Sequence, residues 1–160
     1  FMSNALRWLP QLRAADVVRA PFANAPSAAI DPLDIAAVAA AALTDRAYRS
    51  RALELSGPSA MLPKAQVDVL ARTLGRPLRF EPQPDAEARA ALAQSFPPAF
   101  VDAFFRFFVA GEFDDAKVVP TVQEILGRPP RTFDEWAAAH AASFRTPSEL
   151  AGADPGGRRP

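Results

Sequence analysis

The feature that most constrains this chain is an alternation of short apolar strands and longer helices that no glycine-rich loop accompanies. Val17-Val18-Arg19-Ala20, Ala28-Ala29-Ile30, Ala52-Leu53-Glu54-Leu55 and Leu78-Arg79-Phe80 read as short strands. Helical patterns start at Asp31 and Pro63, between the second and third strands and between the third and fourth. Strand, helix, strand, helix, strand is the rhythm of parallel α/β units. The seven glycines are isolated except Gly156-Gly157. No turn therefore offers the run of backbone N–H groups that cradles a phosphate.

Local signals sharpen this outline. Residues 1–12 predict a short helix ended or broken near Pro10. Pro21-Phe22-Ala23-Asn24-Ala25-Pro26 supplies turn chemistry between the first two strands, which predicts a hairpin. Asp31-Pro32-Leu33-Asp34 starts a helix. Asp31 is the N-cap, Pro32 occupies the first helical position, and Asp34 places negative charge at the positive end of the dipole. The alanine-rich run to Leu43 carries high helix propensity. Ser56-Gly57-Pro58 stops the third strand. Val67, Leu70, Ala71 and Leu74 share one helical face, and Gly75 suits the left-handed residue that ends a helix.

From Asp85 the pattern is helical throughout, over residues 85–94, 98–110, 121–126 and 132–144. Thr121-Val122-Gln123-Glu124 and Thr132-Phe133-Asp134-Glu135 both predict capping boxes. Pro147, Gly152, Pro155, Gly156, Gly157 and Pro160 predict a disordered tail over residues 146–160, leaving residues 1–145 as one folded region.

Composition excludes several function classes. The formal net charge is zero, so no single-sign field recommends a nucleic acid or an anionic membrane as partner. The 18 basic residues are nearly all arginine and are scattered. Without cysteine there is no disulfide, thiolate metal site or cysteine nucleophile, and His140 alone makes no histidine metal cluster. The apolar run Ile35 to Leu43 is too short to span a bilayer, and no signal-peptide pattern occurs. The expected location is cytoplasmic. No GxSxG, HExxH or paired CxxC occurs, so no catalytic nucleophile, base or metal is assigned.

The phenylalanines are the strongest local signal. Twelve occur, six of them between Phe96 and Phe108. On a helix from Pro98, Phe100, Phe104, Phe107 and Phe108 form one stripe and Phe105 points away from it. Such a helix packs on the core, and it also suits a lid over a flat apolar ligand or a dimer face. His140, among alanines, reads as a surface or packing histidine. Asp31 and Asp34 read as caps. Tyr48, beside Arg46, Arg49 and Arg51, lacks a lysine four residues on and reads as a surface or packing residue.

Taken in order, these segments resemble the NmrA-like proteins, atypical short-chain dehydrogenases that include NAD(P)H-dependent quinone and azo-dye reductases. Phe1-Met2-Ser3-Asn4-Ala5-Leu6 resembles the segment after their sixth sheet strand. Ala28-Ala29-Ile30-Asp31-Pro32-Leu33-Asp34 resembles the next strand and helix, and Leu53-Glu54-Leu55-Ser56-Gly57-Pro58 the following strand and turn. Leu74-Gly75-Arg76-Pro77-Leu78-Arg79-Phe80 resembles the strand after that, and residues 121–144 the C-terminal helices.

The resemblance implies an α/β fold that is the C-terminal part of a Rossmann-like NmrA-type protein. A few short strands and packed helices precede an all-helical region, and the glycine-rich N-terminal half is absent. It implies the substrate side of an oxidoreductase using NADP or NAD, inactive alone. Phe1, Met2 and Asn4 are the matching positions near the nicotinamide. Phe22, Phe100, Phe104 and Phe108 line or cover a pocket for a conjugated substrate such as a quinone. The expected macromolecular partner is the missing Rossmann half or a second copy of the chain. Exposed strand edges and an apolar face would favour such association. The rival readings are a non-catalytic sensor of NAD(P) redox state and a dimerising interaction module.

Overall fold

The computed structural model describes residues 1–145; the predicted tail lies outside them. The chain opens on a 3-10 helix, Met2–Trp8, that passes directly into α1, Leu9–Ala14. Pro10 sits in the first turn of α1, where its missing N–H costs nothing, so it starts a helix and does not break one. β1 follows at Val17–Ala20, α2 at Pro32–Thr44 and α3 at Pro63–Leu74. Then come β2 at Arg79–Pro82, α4 at Asp85–Ala93, α5 at Pro98–Phe108, α6 at Thr121–Leu126 and α7 at Phe133–Phe144.

β1 and β2 pair in parallel, with Val17 opposite Arg79 and Ala20 opposite Pro82. The predicted hairpin does not form. Residues 28–30 are no strand; Ser27 instead bridges Met61 in antiparallel fashion, through N–H···O bonds of 3.0 and 2.9 Å. Gly57 N–H donates to the Ala28 carbonyl at 2.8 Å. A Cβ on Gly57 would stand 1.9 Å from the Ala29 carbonyl oxygen, so this approach requires glycine. Residues 52–55, the predicted third strand, and Ser56 after them form no regular element and make no backbone–backbone hydrogen bond among the described residues.

The two strands are closed at their outer edges by different means. The Asp16 and Ala20 carbonyls accept from Arg79 and Gln83 on the β2 side. Alternation turns the Arg19 backbone the other way. There the Gln11 side chain fills both positions: its Oε1 accepts from Arg19 N–H at 2.7 Å and its Nε2 donates to Arg19 O at 3.1 Å. On the far edge of β2, Pro82 has no N–H to offer. Gln11 and Pro82 thus blunt one position on each side of the ladder.

Three apolar clusters hold the elements. In the largest, Leu12, Val18, Val67, Leu70, Trp136 and Phe144 are sealed between α1, β1, α3 and α7. Arg76 joins three parts of this layer, bonding the Asp16 carboxylate and the Leu12 carbonyl from just past α3. A second cluster packs Ile30 and Val38 against Val122 of α6, with Leu53 and Leu55 at its margin. The third joins α4 and α5 through Ala88, Val101 and Phe105, with Phe22 against it.

Asp31 caps α2 as expected, accepting from Leu33 N–H at 2.8 Å. Gly75 ends α3 at φ 64°, in the left-handed region. Thr132 and Glu135 form the expected capping box of α7, but Thr121 forms none. α6 starts from Pro120, so Thr121 is already its first helical residue and not its cap. No helix among the described residues is long and apolar enough to cross a membrane.

Candidate functional site

A cleft of about 260 Å³ opens where the 3-10 helix, the loop after β1 and the end of α5 meet. The 3-10 geometry decides which side chains reach it. At three residues per turn, positions three apart eclipse one another. Phe1, Asn4 and Arg7 therefore form one ridge, and all three are exposed and line the cleft. Met2 and Ala5 form the opposite ridge and are 2% exposed. The Met2 N–H bond to Ile30 O at 2.9 Å fixes this rotation. Met2 is thus a core residue here and does not line the cleft, although the resemblance placed it beside Phe1 and Asn4.

The opposite wall is aromatic. Phe22 adopts φ 58°, a left-handed conformation that costs a non-glycine residue about 1 kcal/mol. Its carbonyl accepts from Ala25 N–H at 3.0 Å, which closes the turn. The turn aims the Phe22 ring between Phe105 and Phe108, at centroid distances of 5.3 and 5.0 Å. The contact with Phe105 is edge to face at 73°. Phe22 and Phe108 face the cleft, and half-buried Trp8 lines it from the other side.

Phe100 and Phe104 lie elsewhere. Phe100 is 58% exposed and Phe104 packs edge to face on Phe96 at 5.3 Å; neither lines the cleft. The buried side of α5 is Val101 and Phe105, flanked by Phe108, so the stripe anticipated from phenylalanine spacing is not the buried one. Arg89 contributes to this, with its guanidinium 4.3 Å from the Phe105 ring centroid and paired with Asp102.

The polar groups at the cleft are few. Asn4, Arg7 and Gln66 line it, and their side chains make no hydrogen bond or ion pair among the described residues. Asp115 lines the Phe108 side, while its backbone carbonyl holds Ala28 N–H at 2.6 Å. Sequence reasoning missed Arg7, Trp8 and Asp115. A three-residue period counted from Asn4 would have found Arg7.

Such a cleft can hold a flat apolar body against aromatic rings and orient it with a carboxamide and a guanidinium. Its lining holds no histidine, cysteine or tyrosine to act as nucleophile or base. His140 lies in α7, its Nδ1 2.8 Å from the Trp136 carbonyl and its ring stacked on Trp136 at 4.5 Å. No group of three His, Asp or Glu residues able to hold a metal occurs among the described residues.

No protein-family model matches the chain. It is 48% identical over 145 residues to the (4-alkanoyl-5-oxo-2,5-dihydrofuran-3-yl)methyl phosphate reductase of Streptomyces griseus, covering 90% of this chain and 51% of that protein. It is 34% identical over 146 residues to the NAD(P)H azoreductase of Xenophilus azovorans, covering 90% and 51%. The NADPH-dependent quinone oxidoreductase of Escherichia coli superposes with a TM-score of 0.71 at 21% identity, over 87% of this chain and 51% of that one. The chain thus spans about half the length of the curated relatives it matches. Its fold is mixed α/β and corresponds to about half of a Rossmann-like NAD(P)-binding reductase.

Proposed function

We propose that this chain forms the substrate-side, C-terminal half of an NmrA-like NAD(P)H-dependent reductase. Its cleft would receive a small conjugated acceptor such as a quinone. The observation that carries this reading is the cleft itself: aromatic walls from Phe22, Phe108 and Trp8 face a free carboxamide at Asn4, with no acid–base pair beside them. Reduction of a flat acceptor held against a hydride donor demands positioning more than proton chemistry from side chains. The relatives are reductases, and their names include a conjugated lactone, an azo compound and a quinone as the kinds of molecule reduced.

The described residues do not fit a whole dinucleotide. Phe1 and Asn4 suit the carboxamide end of a nicotinamide, but no turn supplies consecutive N–H groups for a pyrophosphate. The extended segment 52–56, with Leu53 and Leu55 half-buried and its backbone unpaired, suits a strand whose neighbours lie outside these residues. On this reading the chain alone does not turn over, and NADP or NAD binds mainly to the other half.

Trp8 reports on the cleft, while Trp136 is sealed in the core. Menadione should quench part of the tryptophan emission saturably, and Trp8→Phe should remove that part. Phe108→Ala should weaken binding about tenfold by deleting one aromatic wall. Linear, non-saturating quenching in wild type and both variants would contradict the acceptor site.

A second reading draws on a separate observation. Phe100, Phe107 and Phe113 are 58%, 40% and 58% exposed, on and just beyond α5. They favour a protein-binding surface and a regulatory, redox-sensing role without turnover. Enzyme-like oxidation of NADPH by menadione, once the chain is joined to a dinucleotide-binding half, would rule this out.

A further inference from the structure

We propose that the cleft selects an anionic ligand, with the Arg7 guanidinium anchoring the negative group and the Phe22–Phe108 pair supporting the conjugated ring. This rests on the reading of the cleft as an acceptor site and adds the charge of the acceptor. Arg7 stands on the same ridge as Asn4, one 3-10 turn further on, and lines the cleft. It has no ion pair or hydrogen bond among the described residues, unlike Arg19, Arg72, Arg89 and Arg128.

A guanidinium presents a planar fork of donors that matches a carboxylate, sulfonate or phosphate monoester in two-point contact. Held beside a concave aromatic surface, it gives direction to a ligand that stacking alone would leave free to slide. Asp115 lines the same cleft from the segment that follows α5, and it reinforces the direction. Its carboxylate repels an anion from that side and leaves Arg7 as the favourable end. Arg7 is the one cationic side chain in the lining among the described residues.

The test is a binding titration of the purified chain, read by Trp8 quenching. It compares a sulfonated anthraquinone with its neutral hydroxymethyl counterpart. The sulfonate should bind more tightly. Arg7→Ala should weaken the sulfonate about tenfold and change the neutral compound by less than about twofold, the size expected of a partly exposed charge-assisted contact. Arg7→Lys should restore part of the loss, and Asp115→Asn should tighten the sulfonate and not the neutral compound.

Equal binding of both compounds with no effect of Arg7→Ala would overturn the anionic anchor and leave the acceptor cleft standing. Equal weakening of both by Arg7→Ala would show that Arg7 acts on the shape of the 3-10 helix, and would also overturn it. Failure of both compounds to bind would sink the anchor and the acceptor reading together.

Discussion

Asp34 shows how far one residue's role can exceed its local signal. It sits in the first turn of α2 with no exposed surface. Its Oδ1 accepts from the Arg128 guanidinium at 2.7 Å and its Oδ2 from Arg131 N–H at 2.7 Å. Arg131 also lies 3.8 Å from Asp31. One carboxylate thus ties α2 to the loop between α6 and α7. Asp34→Ala should cost about 2 kcal/mol in urea unfolding, because it removes the partner of the Arg128 guanidinium and of the part-buried Arg131 N–H. A loss under about 1 kcal/mol would show that the loop holds without it. The dipole role of Asp34 was readable from Asp31-Pro32-Leu33-Asp34. Its partners were not, since they stand 94 and 97 residues away. Gly57 has a similar history. It reads locally as a strand stop, yet its lack of a Cβ matters because Ala29 O passes so close. Gly57→Ala should therefore destabilise by about 2 kcal/mol or more, measured by thermal melting.

At the scale of elements, the long periodic helices were legible and the short strands were not. α2, α3 and α7 carry caps, terminators and apolar spacing within their own sequence. A four-residue strand has no such redundancy, so Ala28-Ala29-Ile30 and Val17–Ala20 looked alike and only one pairs. The site suffered from the same limit. Its Phe1, Asn4, Phe22 and Phe108 positions came from resemblance, while Arg7 needed the rotation of a 3-10 helix. Phe22 also packs the turn after β1 against the α4–α5 cluster. Phe22→Ala should raise amide exchange across α4 and α5 while leaving α3 and α7 protected. Uniform change across all four would mean that the chain opens as one unit.

The capping box of α7 adds a pH dependence. The Thr132 backbone and hydroxyl donate to Glu135, which holds its pKa below the usual 4.5. A depressed carboxylate stabilises the fold above its unfolded value and loses that contribution as pH falls through the folded one. The protection factors of the first-turn amides of α7 should therefore fall as pH drops below about 4.5, and Thr132→Ala should flatten that response. Equal pH profiles in the two proteins would contradict it.

At the scale of the whole molecule, a two-stranded parallel ladder is little to organise seven helices, and parallel sheets are normally buried on both faces. Gln11 and Pro82 each blunt one position of the ladder's edges, and the backbone of residues 52–56 makes no backbone–backbone hydrogen bond among the described residues. This distribution, the half-length match to reductases and the missing phosphate-cradling turn converge on one claim: the acceptor cleft is here and the dinucleotide site is not. A fluorescence titration of NADPH and NADH into the 160-residue chain tests it most directly. The account predicts no saturable binding up to about millimolar nucleotide. Saturation at about micromolar concentrations would mean that these residues build a dinucleotide site of their own, and the half-site account would be wrong.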